Sequence, residues 1–311
     1  MLLTAASLTA LWGIEMRQIL AVVRYNFMGF FKSSKVIFSF LLGFVLCYLL
    51  SSQVMTVIEA YQTPVQAAEP FLWTFGDTTA ILLSSLLLML LFSDLPKMSP
   101  ASPYQLLRMT KKKWLAGQFC YVILVTALYT GIMMAFTVVL CMKNSYVGDI
   151  WSETAAMLGY SKLGEQMQVP STVKVMESTL PYSCMCQVLL LIFFYALTLS
   201  FVILAGNLIL GKNGGIIIGL LYSLYGFLLK PEVLGKLLHM EQYEMYKINV
   251  LVAWISPLSH ASYARHNFGY DTLPTVSQSC MVFGGLLVFL ILVCCRSLRR
   301  YPFQFTGGST S

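Results

Sequence analysis

Charge is what this sequence has least of. Only 11% of its 311 residues are Asp, Glu, Lys or Arg, and 58% are hydrophobic. A soluble domain carries about 25% charged residues, so a large soluble core does not account for the deficit. The scarcity is also uneven. Six runs, 36–58, 78–93, 115–142, 183–210, 214–229 and 279–295, contain no Asp, Glu, Lys, Arg or His. A helix needs roughly 20 apolar residues to cross a bilayer core. The runs therefore predict an all-α polytopic membrane protein, with six transmembrane helices in a single domain over 36–311. The second, fifth and sixth runs are short, and the second can borrow from Phe71–Gly76 only by taking in Asp77.

Catalytic signatures are missing as well. There is no G-x-x-x-x-G-K-[ST], H-E-x-x-H, G-x-S-x-G or G-x-G-x-x-G. Gly211-Lys212-Asn213-Gly214 has the wrong spacing for a phosphate loop and falls in a turn between two spans. No catalytic residue, metal or cofactor is expected. An ionisable group inside a span costs about 2.5–3.5 kcal/mol on insertion scales and is usually kept for function. The lack of one argues against a proton- or sodium-coupled carrier, a charge-lined channel and an intramembrane protease. It suits a pathway for something amphipathic or lipid-like, and equally helices that only pack.

The 8 cysteines form no framework. Cys184 and Cys186 make a C-x-C with no histidine nearby, and the cysteines are expected to be small apolar residues packed between helices. His239, His260 and His266 share one loop at spacings that suggest no common helix face, and are expected to be exposed or interfacial. Gly215-x-x-x-Gly219 and Gly284-Gly285 offer close helix approach.

What charge there is has a pattern. The segment before the first run, the second-to-third loop, the fourth-to-fifth turn and the C-terminal tail hold thirteen bases and two acids. The other three loops hold seven bases and eleven acids. By the positive-inside rule both termini face the cytoplasm, and an even number of spans is required. The net charge of +7 thus follows membrane topology, and no nucleic acid is expected as a partner.

Three segments outside the runs carry further expectations. Residues 16–35 read as a cytoplasmic interfacial helix. At 100° per residue Arg17, Arg24, Lys32 and Lys35 fall within about 80° of one another, placing their charges near membrane lipid; a plain basic flank is the alternative. Residues 1–15 read as an upstream extension or a flexible tail, because Met16-Arg17 resembles a natural start and Met1–Ile14 makes a poor signal peptide. In the second-to-third loop, Pro96, Pro100 and Pro103 break the helix leaving the membrane, and Ser102 can cap a short new helix with Pro103 at its first position. On that helix Arg108, Lys111 and Lys112 are expected to share one face, with Leu106, Leu107 and Trp114 towards the other. Such a helix serves equally as a docking knob for a soluble partner or as a basic turn gripping anionic lipid. Beyond the fifth run, Val250–Leu258 is too short to span. It includes Trp254, Ser256 and Pro257 and is expected to dip into the outer leaflet as a re-entrant or interfacial segment, with Trp254 at headgroup level.

The stretch 91–121, reading L-F-S-D-L-P…Y-Q-L-L-R…K-K-K-W-L-A-G-Q-F-C-Y, resembles the permease subunits of bacterial type-two ABC transporters. The start M-R-Q-I-L-A-V-V-R-Y-N-F from Met16 is similar to their N-terminal elbow helix. Ile255–Ala261, I-S-P-L-S-H-A, followed by a last span and a basic tail, is similar to their ending. The resemblance implies a six-span exporter-like permease in the bacterial cytoplasmic membrane, completed by a second permease copy or homologue. It implies a separate ABC ATPase docking on Tyr104, Leu107, Arg108, Lys111, Lys112 and Trp114, and re-entrant helices between the last two spans. The long loop 144–182 and residues 1–15 depart from that pattern. A non-transport membrane protein, such as an immunity or regulatory partner, is the alternative.

Overall fold

The computed structural model describes residues 5–98, 102–161, 163–166, 173–237, 241, 244–269 and 271–301. Helix α1 (Ala5–Phe27) leads through a left-handed Gly29 and a 3₁₀ turn (Phe30–Lys32) into α2 (Ser34–Tyr61). After the short strand β1 (Val65–Gln66) come α3 (Glu69–Phe75) and α4 (Thr78–Leu91), then α5 (Ser102–Arg108) and α6 (Lys111–Cys141). Strand β2 (Ser145–Tyr146) pairs in parallel with β1, aligning Val65 with Ser145. Three short helices follow, α7 (Glu153–Tyr160), α8 (Leu163–Gln166) and α9 (Val173–Ser178). The chain then builds α10 (Pro181–Leu210), α11 (Gly214–Leu228), α12 (Pro231–Leu237), α13 (Met245–Ile255), α14 (Pro257–Ala261) and α15 (Val276–Ser297).

Among the described residues four helices, α2, α6, α10 and α15, are long and apolar enough to cross a membrane. The number is six if the bent pairs α3–α4 and α11–α12 each count as one span. The bend of 84° between α3 and α4 has a local cause. Asp77 takes an extended conformation and its carboxylate accepts the Thr79 N–H at 3.1 Å, so it caps a new helix instead of continuing the old one. The short second run is therefore extended by a helix that turns aside.

Helix α10 is the axis of the bundle and packs against α11, α15, α6 and α4. It is hydrophobic on every side, and 78% of its most apolar window is buried, against 33% for α2 and 22% for α15. A helix apolar all round needs neighbours all round; α2 and α15 instead leave Leu41, Leu49, Val288, Phe289 and Leu292 exposed, as a lipid-facing surface would. The α10–α11 contact is close because its residues are small. A Cβ placed on Gly215 would lie 2.1 Å from the Ile203 carbonyl oxygen, and one on Gly206 would lie 2.7 Å from Gly215 Cα. Gly219 packs on Ile203 in the same seam. Gly284 and Gly285, expected to act likewise, face open space.

The N-terminal region differs from the expected interfacial helix. The helix continues unbroken from Ala5 across Met16. It also ends at Phe27, because Gly29 adopts φ +79°. Arg17 and Arg24 sit on α1, Lys32 on the 3₁₀ turn and Lys35 on α2. All four are exposed, but they do not share a helix face. Rather than floating on lipid alone, α1 packs along α6: Val22 is fully buried and fills the space above Gly117.

The cysteines divide. Cys47, Cys141, Cys184 and Cys294 are buried as expected, but Cys120, Cys186 and Cys295 are exposed and Cys280 is partly so. Among the described residues all eight are free thiols.

Candidate functional site

The segments that carry the basic clusters converge at one end of the bundle. Between α4 and α6 the chain leaves α4 through Ser93–Met98 and re-enters by α5. Two buried amides hold that exit. Gln118 of α6 accepts the Lys97 N–H at 3.0 Å and donates to the Lys97 carbonyl at 3.1 Å. Asn207 of α10 donates to the Leu95 carbonyl at 2.6 Å and accepts the Gly215 N–H at 2.7 Å. Paired amide bonds of this kind satisfy backbone groups that would otherwise be orphaned away from water. Neither amide was singled out from the sequence. The available signal was a primary amide inside an otherwise apolar run, and attention to formal charge alone passes over it.

Helix α5 forms where Ser102 and Pro103 predict it. Tyr104 is 69% exposed and Leu107 84% exposed, and Arg108 is exposed beside them. Three expected members fall elsewhere, Lys111, Lys112 and Trp114. Arg108 does not share a helix with Lys111 and Lys112, because Thr110 takes an extended conformation and its hydroxyl accepts the Lys113 N–H at 3.4 Å, starting α6 afresh. Trp114 is completely buried and lines no docking surface. Lys111 and Lys112 are exposed on the first turn of α6. Lys113 turns back to α1, meeting Glu15 at 3.0 Å and Gln18 at 3.2 Å. The surface left is a short helix with an apolar tip and one arginine.

An open cleft of about 1130 Å³ is lined by Asp94, Lys97, Lys212, Arg296, Arg299 and Arg300 among others. Asp94 is already paired with Lys35, and Lys97 lies 3.9 Å from it.

At the opposite end a second set of buried polar groups ties the loops together. Glu69, fully buried, accepts the Gln66 N–H at 3.0 Å, the Ser152 N–H at 2.7 Å and the Ser152 hydroxyl at 2.5 Å. With the β1–β2 pair and the bond from Trp151 Nε1 to the Thr179 carbonyl at 2.8 Å, this ties down Ser145–Tyr146 and Trp151–Ser152 of the loop 144–182, which has no strong periodicity in sequence.

The segment 250–258 is divided between two short helices, α13 and α14. Helices α13 and α14 meet at Ser256, whose hydroxyl donates to the Gly226 carbonyl at 2.9 Å and accepts the Ser259 N–H at 3.3 Å. Ser256 and Pro257 are buried against α11, while Trp254 stays 41% exposed. The histidines depart from expectation. His260 and His266 are buried, and both reach the hydroxyl of Ser279 at 2.8 Å. Burial pushes both imidazoles below their usual range, His266 down to about 4. Their six-residue separation hid this, because the 3₁₀ turn Tyr263–Arg265 folds one back towards the other. His239 lies outside the described residues. Among the described residues no cluster of three or more His, Cys, Asp or Glu is placed to hold a metal.

No protein-family model matches the chain, and neither a curated protein nor a solved structure is significantly similar to it.

Proposed function

We propose that this chain is the permease subunit of an ATP-driven ABC exporter, moving an amphipathic or lipid-like substrate across a bacterial cytoplasmic membrane. A separate ABC ATPase supplies the energy and a second permease copy or homologue completes the pathway. The observation that carries this reading is α5. This seven-residue helix bares Tyr104 and Leu107 to solvent, an apolar tip that a soluble partner can cover. The chain leading to it is held by amides from α6 and α10, so force applied at α5 reaches two spans. The charge distribution supports placing α5, and both ends of the chain, on the cytoplasmic side. The departures narrow the docking surface to Tyr104, Leu107 and Arg108, with Lys111 and Lys112 at its edge.

The test is affinity purification of the tagged full chain from its native host. An ATPase with a phosphate loop should co-purify. Leu107→Glu and Arg108→Glu should each reduce its recovery at least fivefold without changing the amount of permease in the membrane. Undiminished recovery with both variants overturns the docking assignment, and absence of any such ATPase overturns the function.

A further inference from the structure

The hydrogens around Ser279 do not add up when both neighbouring histidines are neutral. His260 Nε2 lies 3.0 Å from the Trp254 carbonyl oxygen, which only accepts, so that nitrogen carries a hydrogen. In a neutral ring its Nδ1, 2.8 Å from Ser279 Oγ, is then a bare acceptor. His266 is arranged in mirror fashion. Its Nδ1 lies 3.0 Å from the Ser262 carbonyl and 3.2 Å from that of Tyr263, so Nδ1 carries the hydrogen and Nε2, also 2.8 Å from Ser279 Oγ, is a bare acceptor. Ser279 owns one hydrogen. It can donate to one ring, and the other short contact then sets lone pair against lone pair, in a place closed to water.

One added proton resolves the conflict. Placed on His260 Nδ1, it lets that nitrogen donate to Ser279 Oγ, which donates to His266 Nε2, while His266 Nδ1–H remains on its carbonyls. Every donor then has an acceptor. A second proton, on His266 Nε2, would turn the hydroxyl hydrogen away from both rings and hold two cations against one oxygen. We infer that His260, Ser279 and His266 form a binding site for a single proton, carried on His260 and relayed by Ser279, at the end of the bundle away from α5.

The surroundings leave the proton no other home. On α15 the neighbouring titratable group is Cys280, and His260 also meets the edge of Phe283, with ring centroids 6.0 Å apart. From α13, Trp254 stacks edge-on at 6.4 Å, with Glu244 and Lys247 paired to each other further along. From α10 and α11 the ionisable groups are the phenols Tyr195 and Tyr222 and the thiol Cys184. On the 3₁₀ turn, Arg265 bonds to Ser259 Oγ at 3.2 Å and feels Asp77 at the start of α4, and Tyr263 tilts against His266. From α9, Lys174 reaches the His266 backbone carbonyl at 3.3 Å and pairs with Asp271. Among the described residues no carboxylate lies within hydrogen-bond distance of either ring. Lys174 opposes a positive charge on His266, whose imidazole burial already holds down to about 4.

The site is tested on the full chain in lipid nanodiscs, by nitrogen NMR of ring-labelled histidine from about pH 7.5 to about pH 4, bracketing the free imidazole value near 6.5. His260 should become imidazolium over that range while His266 remains the Nδ1–H tautomer, total uptake at the pair being one proton. Ser279→Ala should lower the proton affinity of His260 at least tenfold, and Ser279→Thr, which keeps the hydroxyl, should restore it. Two charged rings, two neutral rings, or an unchanged His260 midpoint in Ser279→Ala would each overturn the inference. If Ser279→Ala does not fold, the proton count in the unaltered chain decides alone.

Discussion

Asn207 joins two strangers in the sequence. Its side chain donates to the carbonyl of Leu95, 112 positions earlier, at 2.6 Å, and accepts the N–H of Gly215 at 2.7 Å. One amide thus locks the exit from α4 to the α10–α11 hairpin. Asn207→Leu orphans both backbone groups, each worth about 1–3 kcal/mol when left buried and unpaired. The unfolding midpoint of the purified protein in detergent should fall, and Asn207→Gln should not recover it, because the longer amide meets the Gly215 backbone. An unshifted midpoint for Asn207→Leu would show that water satisfies those groups.

The glycines separate into two kinds by what a methyl group would meet. Gly215→Ala forces α11 off the Ile203 carbonyl, which the 2.1 Å approach does not allow in place. Overpacking of this sort typically costs about 1–3 kcal/mol. Gly284→Ala adds a methyl to open space and a better helix former to α15, gaining up to about 1 kcal/mol. Thermal unfolding of the two variants side by side should move in opposite directions.

Glu69→Gln puts an NH₂ group where an oxygen now receives a hydrogen bond. Three donors point at the carboxylate, and no cation pairs with it among the described residues, so a side chain with one oxygen leaves at least one donor unmatched. The loop 144–182 should loosen before the spans do. Limited proteolysis should cut within 144–182 faster in Glu69→Gln, with intact spans; cleavage at the parent rate would mean that the β1–β2 pairing alone holds the loop.

Acid should weaken the fold through His266. Burial holds its folded value near 4, against about 6.5 for a free imidazole. The unfolded chain therefore binds the proton first. Stability is complete above about pH 6.5 and drains away as pH falls towards 4, by at most about 3 kcal/mol. The unfolding midpoint should be lower at pH 5 than at pH 7.5, with a shallower slope in His266→Gln. Equal slopes would place the acid sensitivity elsewhere.

The six uncharged runs and the short helix α5 were legible because each depends on neighbours in the chain: apolar length for the runs, Ser102 and the missing N–H of Pro103 for α5. Other features follow from the same local chemistry but were not anticipated. Thr110 restarts a helix by accepting one N–H, and Gly29 ends α1 by a left-handed φ, so the bases around them part onto different elements. Trp114, placed in the docking turn by the permease resemblance, is covered once α6 packs.

What the sequence determined alone is therefore the class of object, apolar helices with an asymmetric charge distribution, since hydrophobicity and formal charge are properties of each residue wherever it lies. What only the tertiary structure decided is where the polar groups spend their hydrogen bonds. Gln118, Asn207, Glu69 and the His260–Ser279–His266 cluster all pair with residues or backbone far along the chain. A hydrogen bond needs a partner within about 3 Å, and nothing in a linear sequence fixes which distant group arrives there until the helices pack.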